Sequence, residues 1–266
     1  MNDTIVLTRD GDIATLTLCR PDAMNTLNRD MIDSLVAHSA AVAADDSVRC
    51  VVIAGAGAHF MAGGDLREFA GQLTQPASER ERYFTAMVEY VHTAIENIQR
   101  MPHPVIAQVQ GAVAGFGLSL MCACDLAIAS ESAYFTSAYR NIGLTPDGGA
   151  TYSLPRLVGT RKAMEIVLLG ERFDAQEGLR LGLVNRVVRE GELASTVQSW
   201  AHKLASGPVL AARNAKRLIH ASSEATLATQ LQAEAISFGR CAATNDFSEG
   251  LQSFLAKRVP RFGKDR

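Results

Sequence analysis

One stretch restricts what this chain can become more than any other: Pro104 to Asp125, PVIAQVQGAVAGFGLSLMCACD. Val105, Ile106 and Val109 are β-branched and apolar, which suits a buried strand. Gly111, Gly115 and Gly117 then punctuate a turn, and the apolar run of residues 118–121 carries on from it. The pattern predicts a strand ending near Gln110 and a helix beginning near Gly115 or Phe116. A helix start carries backbone N–H groups without intrahelical partners, and its dipole places partial positive charge there. Such a corner can hold a carbonyl oxygen that turns negative during a reaction. Glycines let backbone approach a ligand without interference from Cβ. Tight strand–helix packing alone would ask for the same glycines.

With 266 residues the chain can bury a sizeable core as one large or two small domains. A formal net charge of −2 gives no electrostatic footprint for nucleic acid or an anionic membrane. No apolar run reaches transmembrane length, and the opening MNDTIVLTRDGD is too polar for a signal peptide. A soluble, cytoplasmic protein is therefore expected. The five cysteines include no C-x-x-C pair and the six histidines no H-E-x-x-H, so no metal is expected. Cys122 and Cys124 follow the glycine corner on an apolar helix, where they read as small buried thiols.

From the start, residues 5–8 and 13–18 alternate around Asp10-Gly11-Asp12, the pattern of a β-hairpin. Asn28 is placed to cap a helix whose apolar Met31, Ile32, Leu35 and Val36 share one face. A third strand spans residues 50–54, and this rhythm argues for an α/β fold. A second informative stretch follows, HFMAGGDL at residues 59–66, where Gly63-Gly64-Asp65 can present N–H groups or simply form a surface turn. Residues 78–100 form a long amphipathic helix that must stop before Pro102 and Pro104. His92 lies near its apolar stripe and reads as a satisfied or partly exposed histidine.

In a third stretch, Pro146-Asp147-Gly148-Gly149 precedes a helix over residues 150–157, and spacing alone reads Asp147 as its cap. Helices near 161–169, 174–181, 193–205, 208–221, 227–240 and 247–257, with a short strand at 184–188, complete the chain. The late shift to nearly all helix predicts a core domain over residues 1–200 and a helical region over 201–266.

In order and spacing, these stretches resemble the enoyl-CoA hydratase/isomerase, or crotonase, superfamily. HFMAGGDL is similar to its F-x-A-G-x-D-L box, and residues 110–120 to its N-G-x-x-x-G-G-G corner. IGLTPDGGATYSLPRLVG, ERFDAQEGLRLGLVNRVV and EGLQSFLAKRVPRF resemble later family segments. The resemblance implies a spiral of ββα units, a helical trimerisation region, and trimers or pairs of trimers. It implies an acyl-CoA substrate and no separate cofactor, coenzyme A being part of the substrate. The thioester oxygen would lie between the N–H groups of Gly64 and Phe116, with Ala62, Gly63, Asp65, Leu66, Ser119 and Tyr139 around the substrate. Arg20 and Lys257 are candidates for the phosphates of coenzyme A, since phosphate pairs with Lys or Arg.

Hydratases of this family use two glutamates, and the matching positions here are Ser119 and Tyr139. Asp147 instead occupies the place where dienoyl-CoA isomerases and phenylacetate-pathway ring-epoxide isomerases carry an acidic catalytic residue. AYRNIGLTPDGG is most similar to the latter. The resemblance thus implies an isomerase with Asp147 as acid/base, one carboxylate sufficing to move a proton between two carbons. A hydratase would need another carboxylate, such as Glu68 or Glu89. A dehalogenase-like hydrolysis would use Asp147 as nucleophile and His92 as base. The family also holds inactive members that bind RNA or act structurally, against which the near-neutral charge and Asp147 argue.

Overall fold

The computed structural model describes residues 4–263. Strand β1 (Ile5–Asp10) turns through Gly11, at a φ of 55°, into β2 (Ile13–Leu18), and the two pair antiparallel with Asp10 opposite Ile13. Asn28 accepts the Met31 N–H at 3.1 Å and starts α1 (Arg29–Ala43), a cap worth about 1 kcal/mol. Strands β3 (Cys50–Gly55), β4 (Val105–Val109), β6 (Leu126–Ser130) and β9 (Arg186–Val188) then add in parallel, giving a six-stranded sheet in the order β1-β2-β3-β4-β6-β9. A second sheet joins β5 (Ala112–Ala114), β7 (Tyr134–Thr136) and β8 (Phe173–Asp174) in the order β5-β7-β8. Consecutive strands alternate between the sheets: β4 and β6 enter the large one, β5 and β7 the small one. Isolated bridges Met61↔Val113 and Leu27↔Gly64 continue this pattern into the loop after β3. The expected α/β spiral of ββα units is thus the observed fold.

Strand periodicity explains the layers. Val51 and Ile53 of β3 join the main core with α1, α3 (Ala77–Arg100) and α4 (Phe116–Ala123). Cys50 and Val52, with Ile106 and Ile128, face α8 (Leu193–Ala205) through Leu193, Val197 and Ala201. The division expected near residue 200 falls inside α8, which packs on the sheet.

Between the sheets and the C-terminus run α5 (Ala150–Val158), α6 (Thr160–Leu169) and α7 (Ala175–Arg180); α9 (Val209–Ser222), α10 (Leu227–Ala242) and α11 (Asn245–Leu255) end the chain. One half-buried ion pair pins α9 to the core, Lys216 Nζ to Asp125 Oδ2 at 2.8 Å, and Lys216 also donates to the His103 carbonyl at 2.9 Å. Removing one partner leaves the other charge partly desolvated and unpaired, which costs less than the roughly 3–5 kcal/mol of a fully buried pair. Helix α2 (Leu66–Gly71) was not foreseen; Asp65 starts it by accepting the Arg67 N–H at 3.1 Å.

Candidate active site

The corner forms where the sequence places it. Gly115, at φ 52° and ψ −123°, turns the chain from β5 into α4, and Phe116 is the first helical residue. The phenylalanine side chain does not disturb the corner, because its ring is buried beneath the Asp147 turn: a Cβ built on Gly148 would lie 3.0 Å from Phe116 Cε2. Gly117 is required for a different reason. A Cβ there would stand 2.2 Å from the Met61 carbonyl oxygen.

Against this corner lies the second glycine turn. A Cβ on Gly63, whose φ is 92°, would be 3.7 Å from Gly115 Cα and 3.8 Å from the Phe116 nitrogen. Gly64 and Phe116 therefore approach each other, and among the described residues neither N–H has a backbone acceptor. Phe69 packs over Gly64 and meets Phe84 edge-on, with ring centroids 5.0 Å apart, walling one side.

Sequence reasoning missed what holds this loop. Asn25 is fully buried, and its amide donates to the carbonyls of Ala56 (2.9 Å), His59 (2.8 Å) and Phe60 (3.2 Å). Gln110 donates to the Gly55 carbonyl at 2.7 Å from the other side. A buried asparagine must satisfy its amide, but the sequence signal is only an asparagine inside MNTLN.

The structure corrects the reading of Asp147 as a cap. The residue before α5 is Gly149, and no side chain caps the helix. The Asp147 carboxylate instead accepts the Tyr139 hydroxyl on Oδ1, and Tyr139 Oη lies 3.4 Å from Ser119 Oγ. Ser119 Oγ also donates to the Asp147 carbonyl oxygen at 2.8 Å. A Cβ on Gly115 would be 3.9 Å from Tyr139 Cζ, so the phenol end lies between the glycine corner and the carboxylate. Burial raises the Asp147 carboxyl above the ordinary range, with the Tyr139 hydrogen bond and His92 opposing it. Burial, the Asp147 charge and their hydrogen bond push the Tyr139 phenol well above its usual value. Tyr139 therefore stays protonated and donates.

His92 is satisfied, as its composition suggested: Nε2 accepts the Gly148 N–H at 3.0 Å. It and Gly149 also border a groove of about 830 Å³ between α3, α5 and α9. Arg20 is committed nearby, its guanidinium paired with Asp65 at 2.8 Å and bonded to the Thr26 carbonyl. Asp65 thus ties two loops together while capping α2, and Arg20 holds its carboxyl below the ordinary range against the opposing effect of burial. The Ala62 N–H donates to the Met24 carbonyl at 3.1 Å, and Leu66 is exposed at the start of α2. Lys257 is exposed after α11, and among the described residues no side-chain bond joins it to this site. Glu68 accepts the Arg29 N–H at 3.1 Å, and Glu89 is exposed on α3. Neither glutamate is bonded to the Tyr139–Asp147 pair. No helix among the described residues is long and apolar enough to cross a membrane.

Two opposed glycine turns, whose Gly64 and Phe116 N–H groups have no backbone acceptor among the described residues, thus stand near a half-buried acid. The sequence profile of one known family, enoyl-CoA hydratase/isomerase, matches residues 8–265. The chain belongs to the enoyl-CoA hydratase/isomerase family. It is 36% identical over 254 residues to the 1,2-epoxyphenylacetyl-CoA isomerase of Escherichia coli, covering 94% of both chains. Its identity to the short-chain-enoyl-CoA hydratase of Clostridium acetobutylicum is 32% over 265 residues, 99% of each. The crystal structure of an enoyl-CoA hydratase from Polaromonas superposes with a TM-score of 0.90 at 35% identity, covering 97% of this chain and 99% of that one. Membership supports an enzyme of that family and implies an acyl-CoA substrate. The names of its relatives divide between isomerase and hydratase.

Proposed function

We propose that the chain is an acyl-CoA isomerase that works through a thioester enolate, with Asp147 as acid/base and the N–H groups of Gly64 and Phe116 as the oxyanion hole. The observation that carries this reading is the environment of Asp147: one half-buried carboxylate, raised by its partial loss of solvent, with Oδ1 held by Tyr139 and Oδ2 left to exchange a proton. In double-bond isomerisation, Oδ2 takes a proton from the carbon next to the thioester. The C–H electron pair moves into the enolate, and the oxygen charge rests between the two N–H groups. Protonated Asp147 then returns the proton to a more distant carbon, and the double bond shifts. The E. coli relative's name extends the substrate class to ring epoxides of aromatic acyl-CoA esters.

Hydration lacks its carboxylates, since Ser119 and Tyr139 stand at the two positions and Glu68 and Glu89 are elsewhere. A hydrolytic reading draws on His92, which lies beside the Asp147 turn. Its Nε2 lone pair, however, already accepts the Gly148 N–H and is not free to take a proton from water. A covalent adduct trapped on Asp147 would favour that reading. We also assign the uncovered apolar faces of α10 and α11 to a trimer or a pair of trimers. Mass spectrometry of turnover on straight-chain and aromatic acyl-CoA esters in heavy-oxygen water tests the chemistry. Isomerisation gives a chromatographically distinct product of unchanged mass. Incorporation of the heavy oxygen would overturn the reading.

A further inference from the structure

The peptide between Asp147 and Gly148 is gripped at both ends. Its carbonyl oxygen accepts Ser119 Oγ at 2.8 Å, and its N–H donates to His92 Nε2 at 3.0 Å. The two side chains come from different helices, α4 and α3. Ser119 stands three positions after Phe116, one helical turn from the N–H assigned to the oxyanion hole. The turn itself has no slack: Gly148 has a φ of 56°, and a Cβ there would lie 2.7 Å from Ser119 Cβ. Tyr139 fixes the carboxylate through Oδ1, but the distance from that carboxylate to the oxyanion hole depends on where the backbone sits. Ser119 binds that backbone to the same rigid helix turn that carries the Phe116 N–H.

We infer that Ser119 and His92 are positioning residues that clamp the Asp147–Gly148 peptide and so set the separation between the acid/base and the oxyanion hole. The inference rests on the reading of Asp147 as acid/base. Under it, position 119 serves the single acid by holding its backbone, and position 139 by holding its carboxylate. A misplacement of about 1 Å in an active site can cost on the order of a hundredfold in rate, so clamping has a measurable consequence.

The test uses the full-length protein and whichever ester of the acyl-CoA panel the wild type isomerises. Ser119→Ala removes one oxygen, and His92→Leu removes the acceptor. Each should lower kcat by about tenfold to a hundredfold with KM within about twofold. His92→Gln places an amide oxygen near the position of Nε2 and should recover most of the loss. Because both residues act on one peptide, the double variant should cost less than the product of the single losses. A purely structural role would lower the melting temperature and leave kcat of the folded protein unchanged. That result in Ser119→Ala and His92→Leu, alongside an inactive Asp147→Asn, would overturn the clamp and leave the acid/base assignment standing. An active Asp147→Asn, or a wild type that isomerises none of the esters, would overturn the assignment and the clamp with it.

Discussion

Helix α4 and the helices α10 and α11 deal with apolar residues in opposite ways. All eight residues of α4 are buried, whereas Ser237 is the only buried residue of α10 and Ser253 the only one of α11. Phe238 and Phe254 stand 76% and 81% exposed. The chain covers its own corner, as the N–H groups proposed for the oxyanion hole require: a dry, rigid setting in which a developing charge is stabilised. It leaves the C-terminal faces uncovered, and contiguous exposed apolar surface marks an interaction site. The first region answers to chemistry, the second to a partner surface that we assign to further copies of the chain.

Glycine substitutions give the sharpest way to break this contrast. Gly117→Ala drives a Cβ into backbone at Met61 and should destabilise by about 3 kcal/mol or more, read from the urea midpoint. In α10, a methyl added at Gly239 would meet nothing within 4 Å, and Gly239→Ala should be neutral or stabilise by up to about 1 kcal/mol. Equal effects would show that the two helices are not constrained differently.

A smaller effect on folding, but a decisive one on assembly, is expected from Phe238→Glu combined with Phe254→Glu. Sedimentation should show dissociation of the assembly while the circular dichroism of the core persists. An unchanged sedimentation coefficient would mean that these faces do not hold copies together.

Two carboxylates mark the regions by pH in opposite senses. Hydrogen bonds from Arg258, the Arg261 amide and Ser253 hold the half-buried Glu249 carboxyl down to about 2. A depressed carboxyl contributes stability above its unfolded value that disappears as pH falls, here between about 4.5 and about 2. The segment after α11 should accordingly become open to acid-tolerant proteases in that window, and Glu249→Gln should open it at neutral pH. Asp147 is raised instead, so its contribution is present at low pH and is lost as pH rises through the folded value. Acid should loosen the tail while relieving the corner of a half-buried charge.

Local signals carried most of the fold. Asn28 caps its helix, Asp10-Gly11-Asp12 turns its hairpin, and alternation in β3 sorts its residues between two cores. The two- and three-residue strands β8 and β5 and the six-residue α2 are too short to show a period. The corner was legible because glycine spacing reports backbone geometry directly. Asp147 was not legible from spacing, since Pro-Asp-Gly-Gly before a helix reads as a cap, and only the family resemblance pointed to an acid/base there. What decides otherwise is the Tyr139 hydroxyl, brought back by the turn of residues 139–142, together with Ser119 and His92 from two other helices. Asn25 was hidden for the same reason, since its partners lie more than thirty residues away.

The central claim is that Asp147 moves the proton, and Asp147→Asn tests it most directly. The amide preserves shape and can accept the Tyr139 hydroxyl, yet it cannot take up and return a proton. Isomerisation of the active acyl-CoA ester, followed as kcat together with the melting temperature, should fall by at least about a hundredfold. The melting temperature should hold or rise, because a carboxyl whose charged form is disfavoured by its partial burial has been replaced by a neutral amide. Wild-type kcat in Asp147→Asn would contradict the account.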